Sequence, residues 1–253
     1  MKRSTTFVDS PSRPLPSFCL LLLFRASLPA AAPPFPRDFP SIKTKTKQPY
    51  EAKLIEFSKQ EHKTDPEIKK LNPRQQIPTF RDGETVVNES LAAVLYLDST
   101  YPDSGTTLVP KGLEKEASKA RGEVYQRVFE AANLHSAMRD VVYPKMRNLI
   151  SNEEQEKEWK EVKVEALKAE LERWELYVGG EDNEWLVPAA SFSAADVAVA
   201  VLVLAIVRFG ASLDGFPKLK KYASKAAERP SVASTWPPHW KQGEGPGFLK
   251  GLL

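Results

Sequence analysis

Residues 72–90 read Asn-Pro-Arg-Gln-Gln-Ile-Pro-Thr-Phe-Arg-Asp-Gly-Glu-Thr-Val-Val-Asn-Glu-Ser, and the order of their parts decides the fold. Ile77-Pro78-Thr79-Phe80 predicts a short strand that opens on a proline. A proline there removes a ladder donor, so it belongs at a sheet edge or at a cis bond. Asp82-Gly83 predicts a tight hairpin, because Gly accepts the positive φ that the turn needs. The chain then returns as a second strand, Glu84 to Val87. Asn88-Glu89-Ser90 forms a polar entry to a helix expected over Leu91 to Leu97, with Ser90 as its cap. The unpaired N–H groups and dipole of that helix end favour a carboxylate. A plain hairpin followed by a capped helix explains each piece singly; the whole string is more specific.

Upstream, Ala52 to Ser58 alternates like a strand, and Thr64-Asp65-Pro66 starts a short helix with proline in its first turn. Downstream, Tyr101 to Gly105 is a loop and Leu108-Val109-Pro110 begins a linker. Everything beyond Gly112 has a helical pattern. Leu113 to Asn148 is a long helical stretch, broken or bent near Tyr143-Pro144. Glu153 to Val178 carries Val164, Leu167, Leu171, Trp174 and Val178 on one face. Ser193-Ala194-Ala195-Asp196 is a capping box with Asp in place of Glu. The helix that follows, Val197 to Phe209, is apolar all round, which places it in the centre of a bundle. It is shorter than the roughly 20 residues a membrane span needs. Phe216-Pro217 to Glu228 is the last substantial helix, stopped by Arg229-Pro230.

Composition excludes several classes. With 36 basic and 33 acidic residues the net charge is +3, too balanced to argue for nucleic acid. One cysteine, Cys19, cannot form an internal disulfide, and three dispersed histidines do not make a metal cluster. A reducing, cytoplasmic setting is the default, with no metal and no membrane partner. A length of 253 residues, 42% of them apolar, allows one sizeable core or two small ones.

The order β-α-β-β-α followed by a helical bundle resembles the cytosolic glutathione transferases. Phe57 to Lys63, Leu71-Asn72-Pro73-Arg74, Val87 to Ser90, Arg208-Phe209-Gly210, Glu228 to Ser231 and Ser234 to Pro238 resemble the rho class in particular. Phe192 to Val197 looks like that family's Ser/Thr-x-x-Asp box. The resemblance runs from about Gln48 to Trp240. It implies an α/β plus all-α fold: a thioredoxin-like domain at 48–105, incomplete at its start, then an all-helical domain at 112–240 and a tail at 241–253.

The resemblance also implies a glutathione site. His62, Gln75 and Gln76 would lie near the glycyl end, although Gln75 stands where rho-like sequences usually have Gly. Ile77, before a cis-Pro78, would pair its N–H and C=O with the cysteinyl unit. Glu89 would face the γ-glutamyl ammonium and Ser90 the carboxylate. His62 as a solvated loop residue and Glu89 as a surface charge are the ordinary alternatives. Tyr125, Phe129 and Met138 are candidates to line an electrophile pocket, or else core residues. Glutathione is a co-substrate, a hydrophobic electrophile its partner, and a homodimer the family's usual state.

The break is at the start. Residues 1–47 hold most of the early prolines and are expected to have no stable fold, without the family's first strand and helix. Phe18 to Phe24 only imitates the strand, and reads alternatively as the apolar part of a secretory signal. The family's first loop carries a hydroxyl that stabilises the glutathione thiolate. Counting back from Phe57 puts that loop at Ala32-Pro33-Pro34-Phe35-Pro36-Arg37, where the serine position is Ala32. Two functions follow: conjugation of glutathione to apolar electrophiles in detoxification, or a catalytically inactive binding module of transferase descent. No catalytic residue is assigned, although Ser10, Ser12, Ser17 or Ser27 could supply the hydroxyl.

Overall fold

The structure is a computed structural model that describes residues 5–9, 42–43, 49–55, 59–102, 106–179, 185–188, 190–233, 240 and 244–253. They fall into two compact units, one spanning residues 1–108 with 230–236, the other 109–229 with 237–253.

The first unit is built on a sheet of β1 (Thr5–Asp9), β2 (Ile42–Lys43), β3 (Pro49–Leu54), β4 (Thr79–Asp82) and β5 (Thr85–Val87), in the order β2-β3-β1-β4-β5. The first strand, expected to be absent, is present. β1 runs parallel to β3, with Phe7 opposite Ala52, and antiparallel to β4, with Phe7 opposite Phe80. Five β-branched and aromatic-rich residues, Thr-Thr-Phe-Val-Asp, suffice for the central strand. They were masked in the sequence by the longer apolar run Phe18 to Phe24, which lies outside the described residues. β3 and β4 therefore share the partner that completes their ladders. β1 and β2 also correct the expectation that no part of residues 1–47 is folded.

β3 ends at Leu54, earlier than the Ala52–Ser58 pattern suggests, and Ile55 turns into the core. Two short helices follow, α1 (Glu61–Thr64) and α2 (Pro66–Leu71). Asp65 caps α2 as expected, accepting from the N–H groups of Glu67 at 2.8 Å and Ile68 at 3.1 Å. Ile55, Ile68 and Ile77 form a buried cluster. The first strand of the hairpin lies two residues later than read and the turn one later, with Gly83 at φ +61° in it, while the second strand ends at Val87 as read. It leads into α3 (Ser90–Thr100). Phe80 is fully buried and meets Tyr96 of α3 at 5.9 Å. The phenols of Tyr96 and Tyr101 both donate to Asp82 Oδ2, at 3.0 and 2.5 Å, fixing the hairpin end to α3.

The second unit is helical. α4 (Lys115–Met146) holds Pro144 in its last turn. α5 (Glu153–Glu158) continues through a π-helical segment, Trp159–Val164, into α6 (Glu165–Tyr177). The stripe Val164, Leu167, Leu171, Trp174 and Val178 is buried throughout. α7 (Ala194–Arg208) is the core: every residue from Ala194 to Ile206 is buried, and α4 packs along it. α8 (Pro217–Glu228) opens on Pro217, and its N–H groups at Lys218 and Leu219 donate to the Glu175 carboxylate from α6, at 2.9 and 2.8 Å. α9 (Pro230–Ala233) follows in the first unit.

The capping box is as read: Asp196 Oδ2 accepts from the Ser193 N–H and hydroxyl, both at 2.9 Å, and Oδ1 accepts from the Leu186 N–H at 3.0 Å. The terminal segment is no loose tail. Leu249 is fully buried and its N–H donates to the Phe209 carbonyl at 2.9 Å, while Phe248 stacks on Phe209. Among the described residues, no helix is long and apolar enough to cross a membrane.

Candidate functional site

The stretch from the end of α2 to the start of α3 holds six of the seven residues read as the glutathione-binding set, Gln75 to Pro78 ahead of β4 and Glu89-Ser90 after β5. Asn72-Pro73-Arg74-Gln75 closes a turn in which the Gln75 N–H donates to the Asn72 carbonyl at 2.9 Å. Gln75 sits at φ +51°, a left-handed conformation that non-glycine residues rarely adopt. Its side chain is half-buried; Gln76 is exposed. The Ile77–Pro78 bond is cis. The Ile77 side chain is buried in the isoleucine cluster, and the residue as a whole is 5% exposed. Among the described residues nothing hydrogen-bonds to the N–H or C=O of Ile77.

Two asparagines that the sequence reading left without a role hold this arrangement. Asn72 is 1% exposed; its amide Nδ2 donates to the Gln76 carbonyl at 2.7 Å and to Thr79 Oγ1 at 3.3 Å, and its Oδ1 accepts from the Arg74 N–H at 3.0 Å. Asn88 Nδ2 donates to the Leu71 carbonyl at 3.0 Å, tying the entry of α3 to the end of α2. Its buried Oδ1 has no hydrogen-bond partner among the described residues. An Asn directly before Pro at a helix end was the available signal for Asn72.

Ser90 differs from expectation. Glu89, in extended conformation, occupies the cap position of α3 and Ser90 is its first helical residue, with no side-chain cap bond. The helix starts one residue early because the carbonyl of the still extended Glu89 already accepts from the Ala93 N–H at 2.9 Å. The N–H groups of Ser90, Leu91 and Ala92 are consequently open among the described residues. Glu89 is exposed beside them.

His62 lies on α1 and is buried, so it is no solvated loop residue. Tyr125 and Phe129 sit one helical turn apart on α4 and are 40% and 76% exposed, whereas Met138 is fully buried. Met138 is thus a core residue of the helical unit, set there by its place on the face of α4 that also buries Leu134, Val141 and Val142. The loop at Ala32, and Ser10, Ser12, Ser17 and Ser27, lie outside the described residues.

Comparison with known proteins gives the family. The family model for the glutathione S-transferase N-terminal domain matches residues 44–105, and that for the C-terminal domain matches residues 139–234. Glutathione S-transferase A of the plaice Pleuronectes platessa is 35% identical over 222 residues, covering 87% of this chain and 95% of the relative. That share is too large for residues 48–253 alone, so the similarity begins before Gln48. A glutathione S-transferase of the Antarctic clam Laternula elliptica superposes with a TM-score of 0.74 at 34% identity, covering 99% of this chain and all of the other. A transferase homologue from Sulfitobacter, solved with bound glutathione, shares the fold at a TM-score of 0.63 and 17% identity, over 92% of this chain and 97% of that one.

Proposed function

Given that the chain belongs to the glutathione S-transferase family, we propose that it binds reduced glutathione along residues 75–90 and conjugates it to apolar electrophiles. The observation that carries this reading is that the Ile77 backbone and the first three N–H groups of α3 all lack hydrogen-bond partners among the described residues. A peptide lying along Ile77 gains two backbone hydrogen bonds, as an added strand does. An α-amino acid end carries a carboxylate and an ammonium. The carboxylate suits the N–H groups of Ser90, Leu91 and Ala92 with the helix dipole behind them, and the Ser90 hydroxyl beside them. The ammonium suits the Glu89 carboxylate. Gln75 and Gln76 supply amides for the glycyl end, and His62 of α1 is read with them. The exposed rings of Tyr125 and Phe129 suit an apolar electrophile. A homodimer and a cytoplasmic setting belong to the same reading.

For the thiolate, β1 changes which hydroxyl to test first. In sequence, Ser10 directly follows the strand that takes the central position, so we assign the sulfur donor to Ser10 rather than to the segment around Ala32. Removing a donor aimed at developing charge lowers turnover by about 10²–10³-fold. Ser10→Ala is expected to lose conjugation by that order and keep glutathione binding. An equally active Ser10→Ala chain moves the role to Ser12, Ser17 or Ser27. A wild-type chain that binds glutathione without turning over a standard electrophile establishes the inactive binding module instead.

The primary test is a thermal melt with reduced glutathione at a hundred times its dissociation constant. Binding to the native state alone contributes about 2.7 kcal/mol, a rise of roughly 5–10 °C for a protein of this size. No shift at any attainable concentration rejects the site. Ser90→Ala, which removes a hydrogen bond to a charged group, is expected to weaken glutathione by about tenfold or more in the same assay.

A further inference from the structure

We infer that Asn72 is a positioning residue of the glutathione site: by gripping the Gln76 carbonyl it aims the N–H of Ile77 at the ligand. The inference rests on the reading of residues 75–90 given above. The peptide joining Gln76 to Ile77 is planar and trans, so its C=O and N–H point in opposite directions. Whatever draws the Gln76 oxygen inward therefore turns the Ile77 N–H outward. Two buried donors draw it inward, Asn72 Nδ2 at 2.7 Å and Thr79 Oγ1 at 3.3 Å.

Asn72 does this from a fixed base. It terminates α2, its own N–H donating to the Ile68 carbonyl at 2.7 Å, and its carbonyl accepts from Gln75. Its Oδ1 holds the Arg74 N–H, so the same side chain shapes the turn that places Gln75 in its left-handed conformation. Both amide hydrogens and one side-chain acceptor are in use, and the residue is 1% exposed. Asp lacks the donors, Ser and Thr are shorter, and Gln is longer by a methylene, so the site selects for Asn.

The test is made on the full chain with the Asn72→Asp variant, which keeps the acceptor for Arg74 and removes the donor to Gln76. Asp65→Ala serves as the control, because it weakens the start of α2 in the same unit and touches none of residues 74–79. Asn72→Asp is expected to weaken glutathione by roughly tenfold, the weight of one hydrogen bond between well-buried groups. Amide exchange at Gln75, whose N–H donates to the Asn72 carbonyl, is expected to rise in the same variant as the turn loosens. Asp65→Ala is expected to lower the melting temperature with neither effect. If the two variants, compared in their folded states, lose affinity alike, Asn72 contributes stability only and the inference falls. Should Asn72→Asp fail to fold, Thr79→Val decides: faster exchange at Gln75 with weaker glutathione binding supports the positioning role, and the absence of both changes overturns it. A wild-type chain that ignores glutathione defeats the reading of the site, and the exchange measurement still decides the part played by Asn72.

Discussion

Asp196 and Asp65 are both helix-capping carboxylates, and the protein loads them in opposite directions. Asp196 is completely buried at the start of α7, and burial pushes its carboxyl above the ordinary 3.8 despite three hydrogen bonds from Leu186 and Ser193. Its charge also raises Tyr222, a fully buried phenol already driven well up by burial. Holding Asp196 ionised therefore costs stability, a cost that sets in as pH rises past 3.8 and is complete above its folded value. The carboxylate is retained because three donors depend on it. Asp196→Ala leaves them buried and unpaired, at roughly 1–3 kcal/mol each. We expect a loss of at least about 3 kcal/mol, read by chemical denaturation at neutral pH. Asp65 has the reverse sign. The Lys53 ammonium at 2.7 Å holds its carboxyl below 3.8. Its contribution is present above 3.8 and is lost as pH falls through the folded value. The pair is partly solvated, so Asp65→Asn is expected to cost only about 1 kcal/mol at pH 7. The gap between variant and wild type should close when the same melts are run near pH 2.

At the level of elements, what could be read in the sequence was what is local. The α7 capping box lies within four residues and the α6 stripe within four turns, so both stood out. The Asp-Gly turn did too, although the strand before it ends two residues beyond where the apolar pattern puts it. β1 was illegible because five residues carry little periodicity, and its worth as a strand comes only from β3 and β4 on either side. Likewise, the N-terminus of α3 depends on whether Glu89 or Ser90 is extended, which composition does not reveal. The docking of residues 244–253 is non-local as well. Gly210 has φ +100°, and a Cβ there would lie 2.9 Å from Gly247 Cα. At Gly245 a Cβ would lie 1.7 Å from the Arg208 carbonyl oxygen. These glycines let two backbones touch, and nothing in either segment alone announces the other. Gly210→Ala combines overpacking with an unfavourable φ and is expected to cost about 2–3 kcal/mol. A melting temperature within a degree of wild type would mean that the segment does not seat on α7.

Across the whole molecule, the two units have separate cores and separate dependences. The sheet unit rests on a strand supplied by residues 5–9, whereas the helical unit is organised around α7. Deleting residues 1–10 removes the shared partner of β3 and β4, and several unpaired ladder groups rival the 5–15 kcal/mol that holds a domain together. That deletion is expected to abolish glutathione binding while leaving a cooperative helical transition. Circular dichroism at 222 nm, with and without glutathione, checks both halves of the expectation.

The seating of Leu249 against Phe209 also sets a clock on biosynthesis. The end of α7 leaves the ribosome some forty residues before the segment that closes over it. Until Leu249 has emerged, the carbonyl of Phe209 and the apolar seat beside it face solvent or a chaperone. A nascent or prematurely ended chain thus shows the cell an open core-helix end that the finished protein hides, so quality control has a local mark by which to tell the two apart.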